Sequence, residues 1–248
     1  MSSKLAIVTG GARGIGRGCA HALAQKGLDI AIVDLLVPEM QRTADELRAL
    51  GRTVRIYEAD VAEFSRAAEV VARVHADFGR IDVLLNNAGR GNPKGIAEIT
   101  EAEFDRTIAV NLKSCFNYIH AAVPPMLAGG GGRIVSMSSL NAFSGGVTSA
   151  VSKFSYAAAK AGILGMTRAL AKELGPSIAI NAVCPGVIET ELGNSLTKTR
   201  GPELTKGIAL GRLGKPADVA QLVAFLATVE PNFITGQAFV IDGFQWVC

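Results

Sequence analysis

Apolar residues recur along this chain in two alternating rhythms. Leu5-Ala6-Ile7-Val8-Thr9 is a short β-branched run that ends in glycines, and Ile15 to Lys26 then spaces its apolar residues at helical intervals as far as Gly27. The same alternation follows, with strands expected at Ile30–Asp34, Thr53–Tyr57 and Ile81–Leu85 and helices at Pro38–Leu50 and Glu63–Phe78. The second half predicts one long helix over Glu103–Met126, bent or ended by Pro124-Pro125. Beyond it come a strand at Arg133–Met137, a helix at Tyr156–Leu174, a strand at Ile178–Val183, a helix at Ala217–Thr228 and a strand at Ala238–Ile241. Continuous apolar strands alternating with amphipathic helices predict an α/β fold, a parallel sheet covered on both faces. With no linker or repeat, residues 1–248 read as a single domain. Two irregular stretches, Ser144–Ser155 and Glu189–Gly214, follow strands at the carboxyl edge of that sheet, where such folds place their ligand crevice.

Composition narrows the function classes. A net charge of +3 with no run of basic residues gives no footprint for nucleic acid or an anionic membrane. No apolar run reaches bilayer length, and the N-terminus has no signal-peptide core. Cys19, Cys115, Cys184 and Cys248 form no CxxC pair, which suits free thiols in the cytoplasm. His21, His75 and His120 lie apart, so no metal site is expected.

The first βα turn, Thr9-Gly10-Gly11-Ala12-Arg13-Gly14-Ile15-Gly16, carries the first candidate chemistry. Gly10 and Gly14 let backbone approach a pyrophosphate, Gly16 permits close helix packing, and the helix N-terminus attracts the phosphate charge. Alone, a glycine cluster is a tight turn; placed after the first strand of a βαβ pattern, it points to a dinucleotide. Asp34, at the end of the second strand, is positioned to accept hydrogen bonds from the adenosine ribose hydroxyls. Its charge repels a 2′-phosphate and Leu35 cannot compensate, so NAD is favoured over NADP; Arg13 is a counter-signal, because a guanidinium beside the turn can reach a phosphate.

Tyr156 and Lys160 stand four residues apart on one predicted helix, so phenol and ammonium share a face. A free phenol keeps its proton to about pH 10, and a neighbouring cation stabilises the phenolate. Strand Arg133–Met137 delivers Ser138 and Ser139 to the same sheet edge, where a hydroxyl can hold a substrate oxygen toward the tyrosine. Either feature alone is common: a strand-end serine is usually a cap.

Taken together and in order, TGxxxGxG, Asn86-Asn87-Ala88-Gly89, Ser-Ser, YxxxK and Pro185-Gly186 resemble the short-chain dehydrogenase/reductase family over essentially the whole chain. The resemblance implies a single-domain Rossmann fold, a doubly wound sheet of about seven strands, and a Ser-Tyr-Lys-Asn catalytic set falling on Ser139, Tyr156, Lys160 and Asn111. It further implies a helix kink held by Asn111, a nicotinamide ribose contact by Lys160 and an adenine contact by Asp60-Val61. The cofactor cleft would be lined by Asn87, Ala88 and Gly89, and its nicotinamide side by Pro185, Gly186, Val187, Ile188 and Thr190. It also implies a homotetramer. The Ser139–Tyr156 spacing is a few residues longer than the family shows, which places the extra length within Ser144–Ser155 and leaves Ser138 as an alternative to Ser139.

The expected function is hydride transfer between NAD(H) and a small secondary alcohol or ketone of polyol, sugar-derived or hydroxy-acid type. Asn141, Phe143, Gly91, Asn92, Val187 and the segment Glu191–Leu204 are candidate pocket residues, with a substrate loop over about 187–214. Two other readings stay open: an NADP-dependent 3-ketoacyl-thioester reductase and a non-catalytic dinucleotide-binding sensor or scaffold. The apolar tail Phe244–Cys248 suggests burial against another subunit, or docking on the chain's own core.

Overall fold

The structure, a computed structural model, describes residues 3–146, 152–191, 201 and 203–245. Strand β1 (Leu5–Thr9) is buried along its whole length, and its side chains divide by the period-two rule of a strand. Ala6 and Val8 join one apolar cluster, Leu5 and Ile7 another on the opposite face. Strand β2 (Asp29–Asp34) divides the same way, with Ile30 and Ile32 on the first side and Ala31 and Val33 on the second. A strand buried on both faces needs a helical layer over each.

Helices α1 (Gly14–Gln25) and α2 (Val37–Ala49) cover the first face. On the second lie α3 (Phe64–Phe78), α5 (Ser114–Ala128) and α7 (Phe154–Leu174), while α8 (Pro216–Thr228) returns to the first. Each fully buried Leu, Ile or Val in these layers contributes roughly 1.5–3 kcal/mol relative to leaving it exposed.

With β3 (Val54–Glu58), β4 (Val83–Asn86), β5 (Gly132–Met137), β6 (Ile178–Pro185) and β7 (Ala238–Ile241), the sheet has seven strands in the order β3-β2-β1-β4-β5-β6-β7. Every pairing is parallel. The chain winds outward from β1 to β3, crosses back to β4 beside β1, and winds the other way. The reversal between β1 and β4 is the topological switch point, and the carboxyl ends of the strands there form the ligand crevice.

Most predicted elements lie within two residues of their expected bounds. The long helix differs more. It begins as α4 (Glu101–Ile108), where Thr100 and Glu103 form a reciprocal capping box. It widens into a π-helical turn (Ala109–Lys113) and continues as α5 through both prolines to Ala128. Pro124 and Pro125 therefore do not end it at their own position. They sit near its C-terminus and remove only the backbone hydrogen bonds their missing N–H groups cannot make. The irregularity falls instead at Asn111, inside the π turn. The stretch after β5 begins with a short helix, α6 (Asn141–Ser144), closed by Gly145 at φ 69°. The remainder of that stretch (147–151), most of Glu191–Leu204 and the tail residues Trp246–Cys248 lie outside the described residues.

Candidate active site

The crevice at the switch point holds about 450 Å3, within the usual range for small-molecule and cofactor sites. Sheet order lays its chemistry out in a line. Asp60 follows β3, Asp34 ends β2, the glycine turn follows β1, Asn87–Gly89 follow β4, Ser139 follows β5, and Pro185–Gly186 close β6.

At the centre, Thr9 and Asn87 stitch β1 to β4. The Thr9 hydroxyl donates to Leu85 O (3.3 Å) and accepts from the amides of Asn87 and Ala88. Asn87 Nδ2 donates to the carbonyls of Thr9 and Gly10 at 3.1 and 3.0 Å. Gly10 adopts φ 65° and Gly14 φ 57°, conformations costly for residues with a Cβ. A Cβ on Gly10 would lie 2.8 Å from Ala88 Cα, so the turn needs glycine for space as well.

The N-terminus of α1 has no side-chain cap and no acidic residue in its first turn, leaving its amides open to an anion. Glu191 supplies one: its carboxylate accepts from Gly14 N at 3.1 Å. The same carboxylate lies 4.0 Å from Arg17, and its place matches the positive end of the helix, which also favours a phosphate. Asp34 stands beside the turn, accepting from Ala12 N (3.1 Å) through one oxygen and from Leu35 N (2.8 Å) and Leu36 N through the other. Three amide bonds fix the carboxylate's orientation toward the crevice it lines. Asp60 accepts from Ala62 N and from Arg106. Burial pushes its carboxyl up, but those two donors outweigh burial and hold it below its ordinary value.

At the other end, α7 carries Tyr156 and Lys160. Lys160 is buried, 3% exposed, and its ammonium donates to Met137 O at 2.8 Å. It lies 5.6 Å from the centroid of the Tyr156 ring. The two serines divide. Ser138 is buried and its hydroxyl donates to the backbone carbonyl of Lys160 at 2.8 Å. Ser139 is half-buried, lines the crevice with Ser138 and Tyr156, and among the described residues accepts the Asn141 amide at 3.2 Å.

Asn111 is fully buried behind the crevice rather than on its wall. Its Nδ2 donates to Arg90 O (2.8 Å) and Thr107 O (2.9 Å), and its Oδ1 accepts from Arg90 N (3.0 Å). The side chain thereby clamps the segment after β4 to the π turn. Burial pushes the Cys19 and Cys184 thiols up to about 12 and about 11, so neither is a ready nucleophile.

The family model described as enoyl-(acyl carrier protein) reductase matches residues 10–243. The 3-oxoacyl-(acyl-carrier-protein) reductase FabG of Thermotoga maritima is 38% identical over 244 residues, covering 98% of each chain. The chain belongs to the short-chain dehydrogenase/reductase family. Oxidoreductase UcpA of Salmonella typhimurium is 36% identical over 252 residues, covering 98% of this chain and 94% of the relative. Among solved structures, a short-chain dehydrogenase/reductase described as glucose/ribitol dehydrogenase from Brucella melitensis superposes with a TM-score of 0.91 at 32% identity, covering 100% of this chain and 98% of the other. A mutant actinorhodin polyketide ketoreductase with NADPH gives 0.90 at 31% identity, covering 98% of each.

Members of this family are oxidoreductases that bind a nicotinamide dinucleotide. Of the positions expected at the site, Gly10, Arg13, Gly14, Ile15, Gly16, Asp34, Leu35, Asp60, Val61, Asn87, Ala88 and Gly89 line the crevice. So do Ser139, Tyr156, Lys160, Pro185, Gly186, Ile188 and Thr190. Val187 faces a separate cavity of about 410 Å3 beside α8, and Asn141 meets the crevice only through Ser139 and Ser152. Gly91 is on the wall; Asn92 and Phe143 are not. Sequence reading missed Arg90, Arg106 and Ser152, which the fold brings to the wall from separate segments. Thr9 could have been found from its place before the glycines.

Among the described residues no three His, Cys, Asp or Glu side chains group as metal ligands, and no helix is long and apolar enough to cross a membrane.

Proposed function

We propose that the protein transfers hydride between NAD(H) and a small secondary alcohol or ketone of polyol, sugar-derived or hydroxy-acid type. The observation that carries this reading is the convergence of Ser139, Tyr156 and Lys160 on one end of a crevice whose other end presents Asp34. In the oxidative direction the Ser139 hydroxyl holds the substrate oxygen, and the Tyr156 phenolate takes its proton. Lys160 stabilises the phenolate by charge, and its bond to Met137 O fixes the ammonium in place. The bound dinucleotide supplies the hydride acceptor at nicotinamide C4. In the reductive direction the Tyr156 hydroxyl returns the proton to the carbonyl oxygen. Asn111 holds the Arg90 backbone beside these groups, and the buried thiols suit a reducing cytoplasm.

Cofactor choice rests on Asp34, whose fixed carboxylate would face a 2′-phosphate at close range. Asp34→Asn should weaken NADH binding and narrow the preference for NADH over NADPH about tenfold, or about 1.4 kcal/mol. Fluorescence titration with each cofactor measures this; an unchanged preference would remove Asp34 from the role. A second reading, an NADP-dependent 3-ketoacyl-thioester reductase, draws support from the FabG relatives, from the ketoreductase with NADPH, and from Arg13. The Arg13 side chain has no hydrogen-bonding or ionic partner among the described residues. Titration with both cofactors, followed by a panel of secondary alcohols and an acetoacetyl thioester, separates the two. Cofactor binding without turnover of any member would favour the sensor reading.

A homotetramer is part of the same proposal. Phe64 and Phe116 stack at 5.8 Å on the α3–α5 face, 42% and 45% exposed. Further exposed apolar side chains lie on α8, at Phe225, and on and after β7, at Val240 and Phe244. Two separate surfaces, each pairing with its counterpart on another copy, would build a dihedral assembly of four. Sedimentation velocity should give a four-chain particle, and Phe116→Asp should reduce it to two chains; a wild-type monomer would defeat the idea.

A further inference from the structure

Helix α7 has a weak beginning for one that must hold a reacting side chain. Its N-cap, Lys153, is extended and offers no side-chain cap. Tyr156 stands only three positions beyond it, in the turn where helices fray. Among the described residues the buried Ser155 hydroxyl finds no hydrogen-bond partner that would secure that turn.

The anchorage comes from residues 90–94, which run alongside α4 and the π turn. Three alternate residues of the segment meet three helix residues four apart. Arg90 is held through its backbone by Asn111. Asn92 Nδ2 donates to Thr107 Oγ1 at 2.9 Å. Lys94 Nζ pairs with Glu103 at 2.6 Å. Asn92 is the central tooth of this zipper. Its Oδ1 accepts from Lys94 N at 3.0 Å, and Thr107 Oγ1 passes its own proton to Glu103 O at 2.7 Å. All three polar atoms of this link are therefore used in a defined sense.

From that fixed point the Asn92 carbonyl accepts from Lys153 N at 2.8 Å. Gly91 presses on the same place, where an added Cβ would lie 2.5 Å from Ser152 Oγ. A ring contact runs parallel to it: Phe104 of α4 stacks on Phe154, the first residue of α7, with centroids 6.2 Å apart.

We infer that Asn92 is a positioning residue for the reaction, tying the first turn of the Tyr156 helix to Thr107 on α4. The inference rests on the proposed role of Tyr156, since a displaced first turn matters to rate only if that phenol reacts. Asn92 does not line the crevice and touches neither end of the cofactor site.

The test uses the full-length enzyme and the best alcohol from the substrate panel. Asn92→Ala and the near-isosteric Thr107→Val should each lower kcat about tenfold, the rate cost of about 1.4 kcal/mol of lost alignment. KM for the alcohol and Kd for NADH should stay within about twofold, because the groups that bind them are untouched. The double variant should be no slower than the worse single variant, because both cut one link. Thr107→Ser, which keeps the hydroxyl, should retain wild-type kcat. Amide exchange over residues 153–157 should quicken about tenfold in Asn92→Ala, while α8 exchanges as before.

Unchanged kcat in Thr107→Val, or additive losses in the double variant, would overturn the inference. So would a parallel loss of NADH binding and of thermal stability, which would mark a general folding role. If Asn92→Ala does not fold, the Thr107 pair decides alone. Exchange is independent of turnover. Faster exchange at 153–157 with unaltered kcat therefore rejects the positioning role, whereas full turnover in Tyr156→Phe rejects the reading beneath it.

Discussion

Tyr156→Phe is expected to lower kcat by about a thousandfold, within the range contributed by a positioned general acid or base, while Kd for NADH stays within about twofold. Phenylalanine keeps the ring that packs beside the Lys160 ammonium, 5.6 Å from its centroid. It removes only the hydroxyl, which makes no hydrogen bond to the described residues. Tyr156 is itself an expected cofactor contact, but most of the groups expected to hold the dinucleotide lie elsewhere, on the glycine turn, Asp34, Asp60-Val61, the segment after β4, Lys160 and Pro185–Thr190. Loss of turnover together with normal NADH binding is therefore the signature of a missing proton-transfer group. Stopped-flow hydride transfer and NADH fluorescence measure the two parts separately. Wild-type turnover in this variant would end the assignment of Tyr156, and the enzyme reading would lose its centre. A rate restored only at high pH would have another meaning: hydroxide replacing the phenolate as base.

How much of this was legible in the sequence depended on how local each cause was. Strands β1 and β2 announce themselves because burial on both faces demands unbroken apolar runs, and a run of that kind is visible without any partner. The YxxxK spacing is equally local, since one helical turn sets it. The choice between Ser138 and Ser139 was not local. Both serines line the crevice, and the Lys160 carbonyl takes the Ser138 hydroxyl, a contact from another element that the strand pattern does not show. Asn92 was expected at the substrate, yet Thr107 holds its amide against α4, a pairing across a loop that no periodicity encodes. The two prolines looked like a helix end because proline usually is one; here they fall so near Ala128 that few bonds are at stake. The irregularity lies at Asn111, where the side chain serves both the π turn and the Arg90 backbone. Arg106 reached the crevice by pairing with Asp60, again a contact between distant segments.

Gly16→Ala should damage fold and cofactor binding together, and the reason is space rather than backbone conformation. Gly16 is not among the positive-φ glycines, so alanine meets no conformational penalty there. Its Cβ, however, would stand 2.0 Å from Gly10 O and 2.8 Å from Gly10 C, and 2.5 Å from Asn87 Nδ2. The first two are backbone atoms of the tight turn, and the third is the amide that joins that turn to β4. None of these is the free end of a flexible chain. Relief requires α1 to back away from the turn, which withdraws the helix N-terminus from the place where the diphosphate would sit. Overpacking of this kind costs about 3 kcal/mol, or a fall of roughly 6–12 °C in Tm for a chain of this size. Kd for NADH should rise at least about a hundredfold, equivalent to about 2.7 kcal/mol. Gly14→Ala makes the contrasting case. Its added Cβ would meet Thr190 Cγ2 at an ordinary 3.5 Å, and only its φ of 57° is unfavourable, a cost of about 1–2 kcal/mol. Thermal melts and NADH titrations of both variants should therefore rank Gly16→Ala well below Gly14→Ala. Equal losses would mean that conformation rather than close approach governs this turn, and the packing explanation of Gly16 would fail.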